Sequence, residues 1–487
     1  MHDFLIFLAV TVFIFVPLTI GITISLENRS PHKTISWLLV LMFLPGVGFL
    51  LYLIFGANTR KHRWENAKAR IVAYLNHADM REILDAAEAL PVADDPADSK
   101  LFDLADQNTM RLVLNSGVSP LTVRNKVDIY TDGVAKFAQM LEDIKNAREH
   151  IHLEYYIIRK SSVADELRAV LIAKAKEGVK VRIIYDWGSW KLKKDPEFIL
   201  SLKKAGCEVY TTIKPRFPFG IRDFNYRDHR KICVIDGKIG YVGGINIADE
   251  YIHKGKLGYW RDTHLRIQGA AVYMLQMIFA IGWMLRTDEM LLGRGYFPID
   301  VENTGESMIQ IAASGADTPQ ETIYQAYFYA IAQAKNTVYI ETPYFIPDES
   351  ILTALKAAAM AGVDVRIIFP QKSDHATVHE ASLSYLEELM RLGAKVYFYQ
   401  KGFIHSKMLL VDNEMASVGT ANMDIRSFML NSEINAFIYD NETVGRLYRV
   451  FADDLTDCRQ AKKAEVTQKF LPQRIWRSVC RLFSPVL

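Results

Sequence analysis

The residues of this 487-residue chain that could do chemistry occur in two copies of one pattern. The first copy reads DHRKICVIDGKIGYVGGIN from Asp228 to Asn246, and the second reads IHSKMLLVDNEMASVGTAN from Ile404 to Asn422. In each copy a Lys follows a His by two positions and an Asp follows it by seven, and a turn of small residues leads to an Asn. The shared positions are His229, Lys231, Asp236, Gly243, Gly244 and Asn246 in the first copy, and His405, Lys407, Asp412, Gly419, Thr420 and Asn422 in the second.

Two such copies, brought face to face, suit an in-line displacement at phosphorus. One neutral His attacks as the nucleophile, and the other, when protonated, donates to the oxygen of the leaving alcohol. The Lys and Asn groups hold the charge of the non-bridging oxygens, the role that a metal would otherwise have. No pair of His residues has zincin spacing and no Asp cluster resembles a Mg²⁺ site, so we expect neither a metal nor another cofactor.

Each catalytic His needs a carboxylate on its second ring nitrogen to fix its tautomer. The candidates are Asp262, in YWRDTHLRI, and Glu433, in NSEINAFI, because both follow their motif and begin a strand-like stretch. We expect Asp262 to stand behind His229. Asp236 and Asp412 are candidate catalytic residues with an alternative role, because their parity differs from that of the His and Lys and favours organisation of a turn.

The elements that must position these side chains are predicted to be hairpins. His and Lys, two residues apart on one strand, leave the same face of the sheet. The Asp236-Gly237 dipeptide signals a two-residue hairpin turn, and VDNE is expected to turn similarly in the second copy. The Gly pair, or Gly419-Thr420, lets the returning backbone approach closely and delivers the Asn near the His. The hydroxyl of Thr420 could contact phosphate.

The flanking sequence repeats as well. His150–Asp186 and Asn336–Pro370 each predict a strand, a helix and a strand, with the helix ending at Gly178 or Gly362. Two α/β halves follow, each with a layered sheet and helices. An apolar helix over Ile267–Leu285 is predicted to be buried between them rather than to span a membrane.

The N-terminus contains two uncharged blocks, Phe4–Leu26 and Ile35–Phe55, each long enough to cross a hydrocarbon core of about 30 Å. A cleaved signal peptide is disfavoured because no Lys or Arg precedes the first block. Two transmembrane helices, at about 4–26 and 35–55, are preferred to a re-entrant hairpin. The basic residues after the second block place the catalytic portion in the cytoplasm.

The predicted organisation therefore has five parts. They are a membrane anchor (1–60), a helical connector (61–118), a first half (119–300), a second half (301–460) and a basic amphipathic tail (461–487). In the tail, apolar and basic residues fall on different helical faces, as in a helix that lies on a membrane surface; a docked terminal helix is the alternative. The apolar set is Ile475, Trp476, Val479, Leu482 and Phe483, and the basic set is Arg474, Arg477 and Arg481.

Two segments, Trp187–Lys194 and Lys214–Arg230, mix aromatic and basic residues. They predict either a rim that grips anionic headgroups or a solvated loop with aromatics turned inward. Tyr344, next to Pro343, is expected with Tyr155 and Tyr156 at the mouth of the pocket. The rim candidates are Trp190, Arg216, Phe217, Phe219, Arg222 and Tyr344.

The doubled His-x-Lys-x-x-x-x-Asp resembles the phospholipase D superfamily. The block SWLLVLMFLPGVGFLLYLIFG, the strings ETPYFIPD and YWRDTHLRI, and the basic tail resemble bacterial cardiolipin synthases within it. This resemblance implies a pseudo-dimer of two α/β/α halves with one shared site. It implies a reaction that joins two phosphatidylglycerols into cardiolipin and releases glycerol through a phosphatidyl-histidine. By the same resemblance His229 is the nucleophile and His405 the acid and base, an order that spacing does not give.

The resemblance also implies a multi-pass protein of the bacterial inner membrane whose partners are phosphatidylglycerol, other anionic phospholipids and the bilayer. A homo-oligomer is compatible with it. A hydrolytic phospholipase D would use the same site with water as acceptor, although the anchor favours a synthase. A nuclease would have a strongly basic domain, whereas the net charge here is +2, so no nucleic-acid partner is expected. A non-catalytic scaffold would not need both copies intact.

Overall fold

A computed structural model describes most of the chain, in two compact units. One comprises Met1–His62 with Lys214–Tyr226, and the other comprises Arg63–Ile213 with Arg227–Leu487. The described residues are 21–22, 24–26, 31–52, 56, 60–89, 107–116, 119–189, 195–212, 225–298, 305–315, 317–318, 320–467 and 470–485.

Over its described residues, the first unit includes the helices α1 (Pro31–Phe43) and α2 (Pro45–Leu51). Pro45 lacks the N–H that would continue α1 and instead begins α2, where its fixed φ is favourable. The block predicted as one span over 35–55 is therefore divided at Leu44. Within the described ranges, no helix combines the length and the apolar composition that a membrane crossing requires. Most of the first predicted block, residues 1–20, lies outside the described residues.

The second unit alternates strands and helices. Its helices are α3 (Arg60–Leu75), α4 (Ala78–Ala89), α5 (Gln107–Ser116), α6 (Gly133–Lys145), α7 (Ser162–Lys176), α8 (Pro196–Lys204), α9 (Ala271–Thr287), α10 (Thr322–Gln333), α11 (Glu349–Met360), α12 (Ala376–Arg391), α13 (Ile425–Met429), α14 (Asn441–Thr456), α15 (Lys463–Val466) and α16 (Leu471–Leu482). Helices α3, α4 and α5 lie in the region predicted as a helical connector. The strands are β1 (Thr122–Asp132), β2 (His150–Tyr155), β3 (Lys180–Tyr185), β4 (Glu208–Thr211), β5 (Lys231–Ile235), β6 (Ile239–Gly243), β7 (Tyr259–Gln268), β8 (Ser307–Ser314), β9 (Thr337–Glu341), β10 (Phe345–Ile346), β11 (Asp364–Pro370), β12 (Lys395–Tyr399), β13 (Gly402–Ile404), β14 (Met408–Val411), β15 (Met415–Gly419), β16 (Met423–Asp424), β17 (Glu433–Ile438) and β18 (Cys458–Gln460).

One continuous sheet of 16 strands, counted over the described residues, runs through both halves. From its centre outward, the first half has the order β1-β7-β6-β5-β2-β3-β4 and the second has β8-β17-β15-β14-β9-β11-β12, with β18 at its edge. The two series match strand for strand, and β1 and β8 pair antiparallel where they meet. The duplicated α/β architecture predicted from the repeated sequence is confirmed.

Helix α9 fills the layer on one face of this sheet. The structure assigns the first residues of the predicted Ile267–Leu285 helix to β7, and the helix begins at Ala271. Almost every residue of its first three turns is buried, against β2, β5, β6 and β7 of the first half and β8 of the second. Helix α9 is apolar on all sides, which is typical of a helix that is buried in a protein core. The prediction of a buried helix is confirmed.

Two glycines end the helices that lead into the central parallel strands. Gly178 follows α7 with φ +96°, and Gly362 follows α11 with φ +92°. Both adopt the left-handed conformation, which costs Gly no side-chain clash, and each turns the chain directly into a buried strand. The predicted helix ends are therefore confirmed, and the matched positions reinforce the symmetry of the two halves.

Candidate active site

The two motifs form two equivalent hairpins, β5–β6 and β14–β15. The turn residues Asp236 and Gly237 have φ +52° and +64°, and Asp412 and Asn413 have φ +52° and +60°. Positive φ at both central positions is the mark of a turn that matches the twist of paired strands. The hairpins that the sequence predicts are confirmed in both halves.

Asp236 and Asp412 organise these turns. The carboxylate of Asp236 accepts three backbone N–H groups from residues 148–150, at 2.8, 2.8 and 2.9 Å. The carboxylate of Asp412 accepts three from residues 335–337, at 2.6, 2.7 and 2.7 Å. In each half the Asp therefore fixes the hairpin to the start of the neighbouring strand, β2 or β9. These contacts agree with the turn role that the sequence favours for both residues, and a catalytic role for them stays an untested prediction.

The His and Lys side chains are buried at the start of each hairpin. His229 and His405 are 8 % and 6 % exposed, and Lys231 and Lys407 are 0 % and 1 % exposed. The Nζ of Lys231 donates to the backbone oxygen of His229 at 2.5 Å, and Lys407 bonds the backbone oxygen of His405 in the same way. The Nζ of Lys407 also lies 2.8 Å from the Nδ1 of His405. Each ammonium is thus held by the backbone of its own His, and that of Lys407 also contacts the imidazole.

The carboxylate behind each imidazole comes from the other half of the chain. The carboxylate of Asp262 contacts the imidazole of His405, with 2.6 Å between Oδ2 and Nδ1. The carboxylate of Glu433 contacts the imidazole of His229, with its two oxygens 3.0 and 2.9 Å from Nδ1. The expected pair of Asp262 with His229 is therefore wrong. Because Nδ1 of each ring is occupied in this way, Nε2 is the nitrogen left for chemistry.

Strand pairing between the halves explains this exchange. Strand β13 runs parallel to the start of β7, pairing Ile404 with Arg261, and the N–H of His405 donates to the backbone oxygen of Arg261 at 2.6 Å. The residue after Arg261 is Asp262, which is thereby placed beside His405.

The second pair follows by the same rule. Asp228 forms a parallel bridge with Ser432, and the N–H of His229 donates to the backbone oxygen of Ser432 at 2.8 Å. Glu433 comes next in the chain and faces His229. Two equivalent cross-half contacts therefore join two motifs into one site.

Gly244 and Thr420, at matched positions, accommodate the two carboxylates differently. A Cβ at Gly244 would lie 2.0 Å from Oδ1 of Asp262, so only glycine leaves room for that side chain. The Thr420 hydroxyl donates to Oε2 of Glu433 at 2.5 Å and accepts the N–H of Ile434 at 2.9 Å. Both residues therefore accommodate a carboxylate, and the phosphate contact expected of the Thr420 hydroxyl stays a prediction. Asn431, not foreseen from the sequence, adds an Nδ2 bond to Oε1 of Glu433 at 3.2 Å.

The two motif asparagines also differ. Asn246 accepts the N–H of Ile157 at 3.1 Å and donates to the hydroxyl of Tyr251 at 2.5 Å, so its amide braces the protein rather than reaching for phosphate. Asn422 has a buried Oδ1 with no hydrogen-bond partner among the described residues. The amide of Asn422 is therefore the one that the described chain leaves for a ligand.

Aromatic rings line both imidazoles. The ring of Tyr156 meets His229 edge-on at 4.9 Å between centroids, which brings together two of the sequence candidates. Tyr251 and Trp260 lie 5.8 and 5.4 Å from His405. Trp260 belongs to the YWRDTHLRI string that the sequence analysis singled out, whereas no sequence pattern pointed to Tyr251. These rings pack beside the two imidazoles.

Tyr344 donates a hydrogen bond to Asp374 at 2.6 Å and is half-buried. Tyr155, by contrast, is 1 % exposed in the core, where its hydroxyl accepts from Lys136 at 3.2 Å, and it is not at a pocket mouth. The remaining rim candidates lie outside the described residues, namely Trp190, Arg216, Phe217, Phe219 and Arg222. Over the described ranges, no cluster of three or more His, Cys, Asp or Glu has a metal-binding arrangement.

Burial sets the protonation of the site. It lowers the pKa of His405 to about 4, with Lys407 adding to the effect and Asp262 opposing it. Burial likewise lowers the pKa of His229, opposed by Glu433. The pKa of Lys231 falls to about 7 and that of Lys407 to about 8, again chiefly through burial. Neutral imidazoles and readily perturbed ammonium groups are typical of a catalytic centre.

The electrostatic influence crosses between the halves. The charge of Lys407 contributes to lowering the pKa of His229, and that of Lys231 contributes to lowering the pKa of His405. Burial raises the pKa of Glu433. The opposing effects of His229, Lys231 and Thr420 are larger together and hold the pKa of Glu433 below its ordinary value. Both motifs therefore act on one electrostatic site.

The duplicated fold and the paired His-Lys motifs define an enzyme of the phospholipase D superfamily. The family described as "Cardiolipin synthase, PLD-like domain" matches residues 140–255 and 327–455. "Phospholipase_D-nuclease N-terminal" matches residues 5–56. Among solved structures, the phosphatidylserine synthase of Haemophilus influenzae Rd KW20 covers 78 % of this chain and 100 % of its own, with a TM-score of 0.60 and 15 % identity, a likeness of fold.

Similarity over nearly the whole chain narrows this class. A cardiolipin synthase of Geobacillus sp. (strain WCH70) is 44 % identical over 473 residues, covering 96 % of this chain and 91 % of the relative. The major cardiolipin synthase of Bacillus subtilis (strain 168) is 44 % identical over 475 residues, covering 96 % of both. The chain therefore belongs to the cardiolipin synthase family. Its activity is phosphatidyl transfer that makes cardiolipin, and the hydrolytic alternative is not favoured.

Proposed function

We propose that the site condenses two phosphatidylglycerol molecules to cardiolipin and glycerol, with His229 as the nucleophile and His405 as the acid and base. The observation that carries this assignment is the crossed pair of contacts, His229 with Glu433 and His405 with Asp262. It leaves Nε2 of each ring free and gives the two imidazoles separately supported positions in one site.

In the first step, Nε2 of neutral His229 forms a bond to the phosphorus of one phosphatidylglycerol. The bond from phosphorus to the glycerol oxygen breaks, and protonated His405 gives its proton to that oxygen, so glycerol leaves as the neutral alcohol. Glu433 stabilises the positive charge that develops on His229 as the phosphatidyl-histidine forms.

In the second step, His405 takes the proton of a hydroxyl on a second phosphatidylglycerol while that oxygen attacks phosphorus. The phosphorus–nitrogen bond breaks, cardiolipin forms and His229 is restored. Before substrate binds, burial, with the charges of Lys407 and Lys231, lowers the pKa of His405 and keeps its imidazole neutral. The negative charge of a bound phosphodiester, added to that of Asp262, favours the imidazolium needed in the first step.

The buried ammonium groups of Lys231 and Lys407 supply the positive charge for the non-bridging phosphate oxygens. Both are held by backbone bonds, so they need little reorganisation when charge develops there. Asn422, whose Oδ1 has no hydrogen-bond partner in the described part of the chain, is the proposed polar contact for a substrate hydroxyl.

The acceptor is proposed to be a lipid alcohol rather than water, because the aromatic rings around both imidazoles limit access of water. Both substrates are then membrane lipids, and we propose that the chain acts at the bacterial inner membrane. The multi-pass anchor formed by the two N-terminal blocks, with the catalytic portion in the cytoplasm, is part of the same proposal.

The test is lipid synthesis by the purified chain in detergent micelles with phosphatidylglycerol. Cardiolipin and glycerol should form in equal amounts, and His229→Ala or His405→Ala should abolish both. The reaction is quenched with base rather than acid, because a phosphatidyl-histidine is labile in acid. Phosphatidyl label should then remain on a peptide that contains His229. Phosphatidic acid as the sole lipid product would overturn the synthase proposal, and label on a His405 peptide would reverse the two roles.

A further inference from the structure

Helix α16 is docked on the second half through its basic face. Arg477, 5 % exposed, lies 3.0 Å from Glu380 and 3.7 Å from Glu387 of α12. Arg481 pairs with Glu388 and stacks on the ring of Tyr385 at 4.2 Å. These buried and half-buried ion pairs fix the rotation of α16 about its own axis, so its other face is forced outward.

The outward face is apolar. Its side chains remain exposed to an extent unusual for large hydrophobic groups, with Trp476 at 50 %, Ile475 at 55 % and Leu482 at 79 %. Phe470 and Phe483 extend this surface at the two ends of the helix, at 69 % and 56 %. The usual amphipathic arrangement in a soluble protein is inverted here, since charge faces the protein and apolar groups face outward.

A cavity of about 440 Å³ lies between α16 and α12. Four guanidinium groups and three hydroxyls line it together with the carboxylates of Glu387 and Glu388, which leaves an excess of positive charge. These groups belong to Arg391, Arg474, Arg477, Arg481, Ser384, Thr467 and Ser478. Arg391 and Arg481 are paired with those two glutamates, whereas exposed Arg474 has no ion pair among the described residues.

We propose that α16 docks on the bilayer, with its outward face among the lipid acyl chains and the arginine-lined cavity binding the phosphate of an anionic phospholipid. Trp, Phe and Leu on one side of a helix and Arg on the other favour the membrane interface. Guanidinium groups and hydroxyls match the oxygens of a phosphodiester, and an anionic surface attracts arginine. The proposal uses the proposed function only for its choice of lipid as the occupant, and its test needs no turnover.

The test reports where residue 482 resides. The full chain carrying Leu482→Cys is labelled with an environment-sensitive fluorophore and reconstituted into vesicles that contain lipids with a spin-label quencher in the acyl chain. Met360→Cys, at a position 70 % exposed on α11, is the matched control. We expect quenching and a blue shift at position 482 in phosphatidylglycerol vesicles, and neither at position 360. Equal, unquenched signals at both positions would overturn the proposal.

A second copy of the chain is the rival occupant of the apolar face. In that case the signal at position 482 would shift to the blue without quenching by lipid, and the shift would fade as the protein-to-lipid ratio falls. That result would also overturn bilayer docking. Cardiolipin synthesis, measured separately, keeps a failure of the proposed reaction distinct from a failure of docking.

The cavity is tested by charge reversal. Arg474→Glu should reduce the preference for phosphatidylglycerol over phosphatidylcholine vesicles, read from quenching at position 482, by on the order of fivefold or more. Lys176→Glu, an exposed reversal on α7, is the charge-matched control and should leave that preference unchanged. An equal response of both variants would show that only net charge matters and would overturn the headgroup site.

Discussion

Replacement of Asp262 by Asn distinguishes the roles of the two imidazoles, because this carboxylate contacts His405, which belongs to the other half of the chain. Asp262 is 1 % exposed and 2.6 Å from Nδ1 of that ring. An isosteric amide removes the charge with little change in volume. With charge centres about 4 Å apart and an effective dielectric constant of about 20, the lost attraction is about 4 kcal/mol. That is roughly three pKa units of the imidazolium, or about a thousandfold in a step that needs His405 as the acid.

The assay compares two phosphatidyl donors in a rapid-quench experiment. Phosphatidylglycerol releases glycerol, which needs a proton, whereas a phosphatidyl ester of p-nitrophenol releases an anion that does not. We expect Asp262→Asn to slow the glycerol burst about a thousandfold and to leave the nitrophenol burst close to that of the unmodified chain. Glu433→Gln should slow both bursts, because it acts on the nucleophile His229.

The opposite pattern would refute the reasoning. If Glu433→Gln spared the nitrophenol burst while Asp262→Asn slowed it, Asp262 would act on the nucleophile, as it would if His405 attacked first. If both variants slowed both bursts equally, the carboxylates would not serve separate imidazoles. Melting of each variant in the same detergent, unchanged within a few degrees, controls for general damage.

Three further predictions concern the same site. Asp236→Asn and Asp412→Asn should each lower stability by about 1–3 kcal/mol, measured by denaturant unfolding, because each weakens three backbone hydrogen bonds; turnover per folded molecule should persist, and its loss would identify them as catalytic groups. Thr420→Val should slow the nitrophenol burst about tenfold by removing a hydrogen bond to ionised Glu433, whereas Thr420→Ser should not; equal rates for both would contradict that role. Acid should destabilise the fold through His405: its folded pKa of about 4 lies below the unfolded value of about 6.5, so the unfolded chain binds the proton first, and stability present above about pH 6.5 is lost as the pH falls toward 4. His405→Gln should flatten that part of the melting-temperature profile, and an unaltered profile would count against it.

Local patterns predict much of this molecule. The hairpin turns at Asp236-Gly237 and at Asp412, the helix ends at Gly178 and Gly362, and the buried helix α9 each depend on a few neighbouring residues. Their conformations follow from turn chemistry and apolar composition, which a sequence displays directly. The repetition of these patterns then gives two similar halves.

The carboxylate pairing could not be found in this way. Asp262 and Glu433 follow their own motifs by similar intervals, so spacing along the chain favours a pair within each half. The actual partners are set by β13 beside β7 and by the bridge from Asp228 to Ser432, contacts between residues far apart in sequence. The break at Leu44 was missed for a simpler reason, since an uncharged block of sufficient length outweighed the Pro45 signal that the sequence contains.

The crossed carboxylates also constrain how the two copies can diverge. A duplication normally frees one copy to lose its function while the other preserves it. Here His229 depends on Glu433 and His405 depends on Asp262, so decay of either copy disables both. Selection must act on the two copies as one inherited unit, and a chimaera that joins halves from distant relatives inherits each histidine without the carboxylate that evolved beside it.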